Sequence, residues 1–583
     1  MDFYYTNGRN VQMLVVLLKK HGIKKIIASP GTTNLEFVAT LQHDGGFEMY
    51  SCVDERSAAY MACGLAAECG EPVVITCTEA TASRDYYPGL TEAYHRKLPI
   101  LAVTCLHDYS IIGHLEPQVI DRSVSPLDSM RLKVNIPIIK DVNDEWNSMI
   151  LMNKAILELT RNGGGPVHIN LPWMNKGFDL VEKTLPDAHA IYRYFEGDKL
   201  PELPNGKIAV FVGSHGEWSK ESIQILDEFC ASNNAVVFCD HTSKYKGKYR
   251  VMPTLMSMQL QDYPIFSSID LLIHIGEESG DSETMKRLKS VKEVWRVSRD
   301  GEIRDTFRKL SNVFEMSEDF FFKSYTKKVG NKTSFLQECK QCTESLNMQI
   351  PDLPFSSVYV ASKMSKKIPQ NSVIHFGVSD TIRAWSMFEL SETVRSSCNA
   401  GCRGIDGCVS ALIGASFANP KGLYFGVVGD LTFFYDMNSL GNRNIRNNVR
   451  ILLLNNNGGN IFKHIGAPAY KMMGIENADV YVAAANHFGK KSPTLVKHFA
   501  EDLGFEYLTA NDKESFKTAC ERFTTKELTE KPMVFEVFTE ATEDSKAFRM
   551  MQTIDMNTSN QAKSFAKKIL GEKGVQLAKK LIK

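Results

Sequence analysis

Short runs of consecutive apolar residues recur along the chain, separated by longer stretches with helical spacing. They fall at 23–29, 73–77, 99–104 and 167–171, then at 207–212, 235–239, 270–275 and 293–297, then at 372–376, 423–428, 450–454 and 533–538. Within a run there is little apolar–polar alternation, as expected of strands covered on both faces. Strands that alternate with helical stretches predict parallel, doubly wound sheets. The pattern therefore reads as an α/β protein with three such domains, at 1–188, 189–348 and 349–545. The breaks are placed where periodicity lapses, near 186–206 and 329–356. The remainder, 546–583, ends in SFAKKILGEKGVQLAKKLIK, whose apolar spacing and Lys-rich face predict a basic amphipathic helix.

Composition narrows the function classes. The 583 residues carry 68 basic and 68 acidic side chains, so net charge gives no support to nucleic acid as a partner. There is no apolar run long enough to span a membrane, and the first residues do not pattern as a secretory signal. Thirteen scattered cysteines suit buried free thiols in a reducing, cytoplasmic setting.

Candidate chemistry begins with VVGDLTFFYDMNSLGNRNIRNNVRILLLNNNGGNIF, residues 427–462. Asp430 follows one buried run, and Asn456 follows the next, 26 residues later. In a parallel strand–crossover–strand unit both lie at carboxyl ends, where open α/β sheets bind ligands. A carboxylate, an amide oxygen and a backbone carbonyl are hard ligands suited to Mg2+, which in turn neutralises a diphosphate. Gly458 and Gly459 would let backbone approach phosphate closely.

GD followed by NN at this distance resembles the diphosphate motif of thiamine-diphosphate enzymes. A second stretch, MYSCVDERSAAYMACGLA (49–66), places Glu55 after a short strand and before an Ala-rich helix, the setting of that superfamily's catalytic Glu. SPGTTN (29–34), RGIDGCVSALIGA (403–415), GDLTFFYDMNSL and NNNGGNIF together most resemble the menaquinone-pathway 2-succinyl-5-enolpyruvyl-6-hydroxy-3-cyclohexene-1-carboxylate synthase (MenD) family. The resemblance implies the thiamine-diphosphate-binding fold, with thiamine diphosphate and Mg2+ as cofactors. It makes Asp430, Asn456 and the Gly458 carbonyl the metal ligands. Gly429, Leu431, Thr432, Gly459, Asn460 and Ile461 would line the cofactor, Leu431 standing where the family has Gly. Ile405 would wedge the cofactor into its bent form. Glu55 would share a proton with the aminopyrimidine ring, for which a carboxyl shielded from water is suited.

For substrate, the resemblance carries Ser379 and Arg383 over from the family's Ser-x-x-x-Arg, which holds a 2-oxoglutarate-derived group. It also carries over Gln118 near the reacting centre, with Lys286 and Phe462 as further contacts. The departures lie on the acceptor side. Thr32 and Thr33 replace Ser-Arg, Ala400 replaces an Arg with Arg403 three positions on, and the stretch CLHDYSIIGH (105–114) has no Arg. Glu79, His107, His114, Lys463 and His464 are candidate replacements. Since a charge-assisted contact is worth about 1.5–3 kcal/mol, these losses predict a different acceptor. The implied activity is decarboxylation of a 2-oxo acid, 2-oxoglutarate favoured, with carboligation to an unidentified small-molecule acceptor. Simple non-oxidative decarboxylation, the family's own synthase reaction on isochorismate, and a non-catalytic scaffold stand as alternatives. A homodimer or dimer of dimers is implied, with the cofactor at the subunit interface.

Overall fold

A computed structural model describes residues 4–122, 124–173, 179–327, 333–464, 467–485 and 492–556. Most of the basic tail expected over 546–583 lies outside the described residues. The chain divides into two units, one of residues 1–199 with 300–315, the other of 200–299 with 316–583.

The first unit is built on a six-stranded sheet. Its order is Glu48–Ser51, Lys25–Ala28, Val73–Cys77, Ile100–Leu106, Val167–Pro172, Leu132–Asn135, all parallel. Helices Arg9–Lys20 and Val142–Glu158 cover one face through Val15, Leu18, Met152 and Ile156. Helices Glu55–Cys69 and Tyr87–Arg96 cover the other through Ala59, Ala62, Leu90 and Ala93. The Ala-rich sequence of the first of these lets the pair approach closely: a Cβ at Gly89 would sit 2.4 Å from that of Ala59.

The second unit holds a six-stranded sheet in the order Arg395–Cys398, Val373–Phe376, Tyr424–Gly429, Val449–Asn455, Met533–Phe538, Glu506–Ala510. It too is parallel throughout. It also holds parallel strands in the order Arg250–Val251, Ala235–Cys239, Lys207–Val212, Ile269–Ile275, Glu293–Ser298. The two six-stranded sheets have the same topology. Numbered by appearance, each runs 2-1-3-4-6-5. The chain crosses sides between strands one and three, and the carboxyl ends of those strands form the crevice in which doubly wound sheets take ligands.

Every apolar run read from the sequence becomes a strand interior to a sheet or nearly so. Three of the strands the apolar pattern does not mark, Leu132–Asn135, Arg395–Cys398 and Glu506–Ala510, are sheet edges with partly exposed polar positions. Among the described residues no helix is long and apolar enough to cross a membrane.

Candidate active site

In the second unit the crevice lies between the loop after Val373–Phe376 and the loop after Tyr424–Gly429. A 260 Å³ cavity opens there, lined by Ser379, Ile405, Asp430, Asn456, Gly458 and Phe462 among others. Gly429, Leu431, Thr432, Gly459, Asn460 and Ile461 line it too. Parallel pairing sets Gly429 opposite Leu454, which places Asp430 beside the turn that carries Asn456.

Asp430 is 4% exposed and starts the helix Asp430–Asp436. Its two carboxylate oxygens accept from the Leu431 and Gly458 N–H groups, each at 2.7 Å. Burial still pushes its pKa up to about 6 against those hydrogen bonds, and no basic side chain is in ion-pair distance among the described residues. A buried carboxylate without a cationic partner is costly, and a bound divalent cation removes that cost. Gly458 has φ +149, and a Cβ there would meet the Ala483 carbonyl and Ala485 Cα at 3.0 Å, so only glycine fits the turn.

The polar turn is held from behind by Asp544, fully buried in the first turn of helix Ala541–Met551. It accepts from the Ser357 N–H at 2.6 Å, the Asn456 side-chain amide at 2.9 Å, Thr539 Oγ1 at 3.0 Å and the Asn460 amide at 3.4 Å. With both Asn nitrogens turned back to Asp544, their amide oxygens are turned away from it, and Asn460 Oδ1 is buried with no partner among the described residues. The donor set suits a hard cation carrying a diphosphate: one carboxylate, amide oxygens and a carbonyl, with no thiolate or imidazole. Among the described residues no cluster of His, Cys, Asp and Glu offers a competing metal site. Asp544 is absent from the sequence reading. The one local signal for it is an acidic pair just past the last buried strand.

A second cavity, of 250 Å³, adjoins the first and shares Val378, Ser379, Ile405 and Ile461 with it. Ser379 is the residue before helix Asp380–Trp385 and has φ 66, a left-handed conformation rarely stable for serine without surrounding support. Arg383 lines this cavity, 3.5 Å from Glu283 and 3.7 Å from Asp380. Arg403 and Ala400 line it as well, so the guanidinium displaced by three positions in sequence reaches the same cavity. Arg403 also takes φ 53, and its Nη2 donates to the Ser279 carbonyl at 3.4 Å. Lys286 is not among the lining residues; it is exposed, with its ammonium 3.0 Å from Glu283. Lys463 is paired with Asp479 at 2.6 Å and His464 with Asp380 at 2.8 Å, so both act within the protein.

In the first unit Glu55 is the first residue of its helix, after the N-cap Asp54, whose side chain accepts from the Ser57 N–H at 2.7 Å. The Glu55 carboxyl is half-buried. It lies near the buried Cys77 thiol and Tyr86 hydroxyl, whose pKa values are raised first by burial and in smaller part by its charge. Around it Tyr50, Val53, Tyr60 and Met61 are exposed, Val53 by 78%. At this sheet's own crevice Thr32 is exposed, while Thr33 is buried and donates to the Cys105 carbonyl at 2.9 Å. Glu79 is 5% exposed and closely paired with the His107 ring, and it accepts the His107 N–H at 3.0 Å. Arg122, 2% exposed, donates from Nη1 to Thr104 Oγ1 at 2.9 Å, and its Nη2 has no partner among the described residues. It was missed because it lies some 20 residues beyond the strand whose end it reaches. Gln118, with φ 65, and His114 are exposed on the same connection.

The thiamine pyrophosphate enzyme N-terminal TPP-binding domain matches residues 9–125, and the C-terminal TPP-binding domain matches 381–537. The chain is 31% identical to the 2-succinyl-5-enolpyruvyl-6-hydroxy-3-cyclohexene-1-carboxylate synthase of Bacteroides thetaiotaomicron over 567 residues, 94% of this chain and 98% of the relative. The synthase of the same name from Phocaeicola vulgatus is 31% identical over 566 residues, and that of Flavobacterium psychrophilum 27% over 552.

Proposed function

The chain belongs to the 2-succinyl-5-enolpyruvyl-6-hydroxy-3-cyclohexene-1-carboxylate synthase family of thiamine-diphosphate enzymes, and from that premise we propose that it decarboxylates a dianionic 2-oxo acid, 2-oxoglutarate favoured, and ligates the acyl group to an acceptor of its own. The observation that carries this reading is the continuity of the two cavities, with the Asp430–Asn456 turn on one and Arg383 with Arg403 on the other.

Thiamine diphosphate, when bound, supplies a carbon nucleophile and an electron sink for the bonding pair left behind when carbon dioxide departs. The protein's part is to hold and orient. Asp430, the Asn456 amide oxygen and the Gly458 carbonyl would take Mg2+, and the backbone at Leu431, Thr432 and Gly459 would flank the phosphates. Ile405 would set the cofactor's bend. Glu55 would hold a proton at the pyrimidine ring nitrogen. Arg383, with Ser379 beside it, offers a planar two-pronged donor to the distal carboxylate of the donor acid. Arg403 offers a second guanidinium in the same cavity, Ile461 and Ile405 add apolar surface to both cavities, and Phe462 lines the cavity that holds the Asp430 turn. Gln118 would stand near the reacting centre, and the Glu79–His107 pair are the polar groups assigned to the acceptor.

The half-buried Glu55, ringed by exposed apolar side chains, supports an assembly in which a second copy covers it. We therefore assign the working enzyme as a homodimer or dimer of dimers. The 13 cysteines all carry free thiols, including Cys339 and Cys342 at CxxC spacing, which supports a reducing, cytoplasmic setting.

A second reading, the relatives' own reaction, is favoured by the guanidinium groups of Arg403 and Arg122. Both readings are tested by carbon-dioxide release with thiamine diphosphate and Mg2+, using 2-oxoglutarate, oxaloacetate, pyruvate and phosphonopyruvate, with and without isochorismate. Turnover of 2-oxoglutarate that isochorismate does not accelerate supports a changed acceptor. Acceleration by isochorismate gives the relatives' reaction. Turnover of pyruvate alone removes Arg383 from the donor site.

A further inference from the structure

A third cavity, of 550 Å³, lies in the second unit away from the two described above. Its walls are residues 246–248 and Arg250, Lys340 on helix Ser334–Met348, Lys366 just after helix Ser357–Met364, and Glu389, Leu390 and Glu392. Five basic side chains, Lys246, Lys248, Arg250, Lys340 and Lys366, face two acidic ones. One of those acids is already used, since Glu389 is paired with Arg250. None of the four lysines is in an ion pair among the described residues. Lys340 donates only to the Lys248 carbonyl, at 3.4 Å.

Solvated lysines on a convex surface need no partner. Lys246 is different, because burial and the neighbouring Arg250 press its pKa down to about 8. Gathering four unpaired ammonium groups around one concavity raises the local potential and focuses it on a small anion. Lysine is a usual point-charge ligand of phosphate. A concavity of this size also exceeds what a free phosphate fills.

The cavity wall connects directly to the donor site. Arg383, Trp385, Phe388 and Glu389 belong to one continuous segment. The carbonyls of Trp385 and Phe388 both accept from His241 Nε2, each at 3.1 Å. This ties the segment to the loop that leads to Lys246. Glu389, paired with Arg250, thus stands six residues from Arg383 on a segment held at both Trp385 and Phe388.

We propose that this cleft binds a small organic phosphate bearing more than one negative charge, and that occupancy shifts the affinity of the donor site through the 383–389 segment. The site is separate from the thiamine diphosphate anchor. The second clause rests on the donor-site reading given above, while the first does not.

The test uses holoenzyme saturated with thiamine diphosphate and Mg2+, so that the diphosphate anchor is already filled. Fructose 1,6-bisphosphate and inorganic phosphate are titrated calorimetrically into wild type, Lys246→Met, Lys366→Ala and, as a surface control, Lys292→Ala. Saturable binding of the bisphosphate, tighter than phosphate, weakened tenfold or more in Lys246→Met and Lys366→Ala and unchanged in Lys292→Ala, is expected. No saturable binding, or equal affinity in all four proteins, overturns the site. The donor KM is then measured with and without saturating bisphosphate. A change of twofold or more that disappears in Lys366→Ala is expected, and an unchanged KM in wild type overturns the coupling. Lys366 is exposed, so its variant keeps the test sound if Lys246→Met folds poorly.

Discussion

The two six-stranded sheets share one strand order, yet the crevices they form are finished to different degrees. In the second unit the crevice is closed around a buried carboxylate, a glycine-only turn and a second buried acid that fixes two asparagines. In the first unit Glu55 stands half-buried at a helix start, beside a rim of exposed Tyr50, Val53, Tyr60 and Met61. Topology provides a place to bind in both. On the proposed reading, what differs is whether one chain supplies all the walls. A carboxyl that must share its proton works best away from water, and the first unit alone does not provide that. The phosphate end needs only hard ligands and backbone, which the second unit has within itself.

The largest separation between the halves should come from Glu55→Gln. Turnover should fall by about 10²–10⁴-fold, the usual worth of a positioned acid or base, while thiamine diphosphate binding measured by fluorescence quenching stays near wild type. Loss of binding along with turnover would show that Glu55 belongs to the anchor. Asp544→Ala should do the reverse, costing about 10–100-fold in metal-dependent cofactor affinity, as is typical of a group behind a metal ligand. At saturating cofactor its turnover should recover most of the way.

A charge placed on the rim, Val53→Glu, should weaken self-association and make specific activity rise with protein concentration. Light scattering alongside activity checks this, and a variant that is inactive at every concentration but still fully assembled would count against a shared site. Arg403→Ala should leave assembly and cofactor affinity untouched and act on the donor alone. One charge-assisted contact of about 1.5–3 kcal/mol corresponds to a donor KM higher by roughly ten- to a hundredfold, partly offset by Arg383. The kcat should change little, and 2-oxoglutarate should suffer more than pyruvate.

How much of this was legible in the sequence follows from the same contrast. Interior strands such as Val73–Cys77 and Val449–Asn455 show as unbroken apolar runs because both faces are covered. Edge strands such as Arg395–Cys398 keep polar residues on their open side and give no such signal. Asp430 and Asn456 were readable because one crossover fixes their spacing. Asp544 reaches the same site from 88 residues past Asn456, and Arg122 reaches the end of the 100–106 strand over a long irregular connection. Contacts of that kind are products of packing, which local pattern does not encode. Arg403 lies between these cases: its position was visible, but its arrival in the Arg383 cavity depends on a left-handed residue that sequence alone does not announce.

The helix that carries Asp544 also sets a schedule. Ribosomes make chains from the N-terminus, and domains fold as their segments emerge. Asp430, Asn456 and Gly458 will have left the ribosome well before the residue that orients the asparagines. On the proposed reading, the cofactor site therefore cannot be assembled on a nascent chain until Ala541–Met551 is out and docked, so cofactor capture becomes a late checkpoint in the protein's birth.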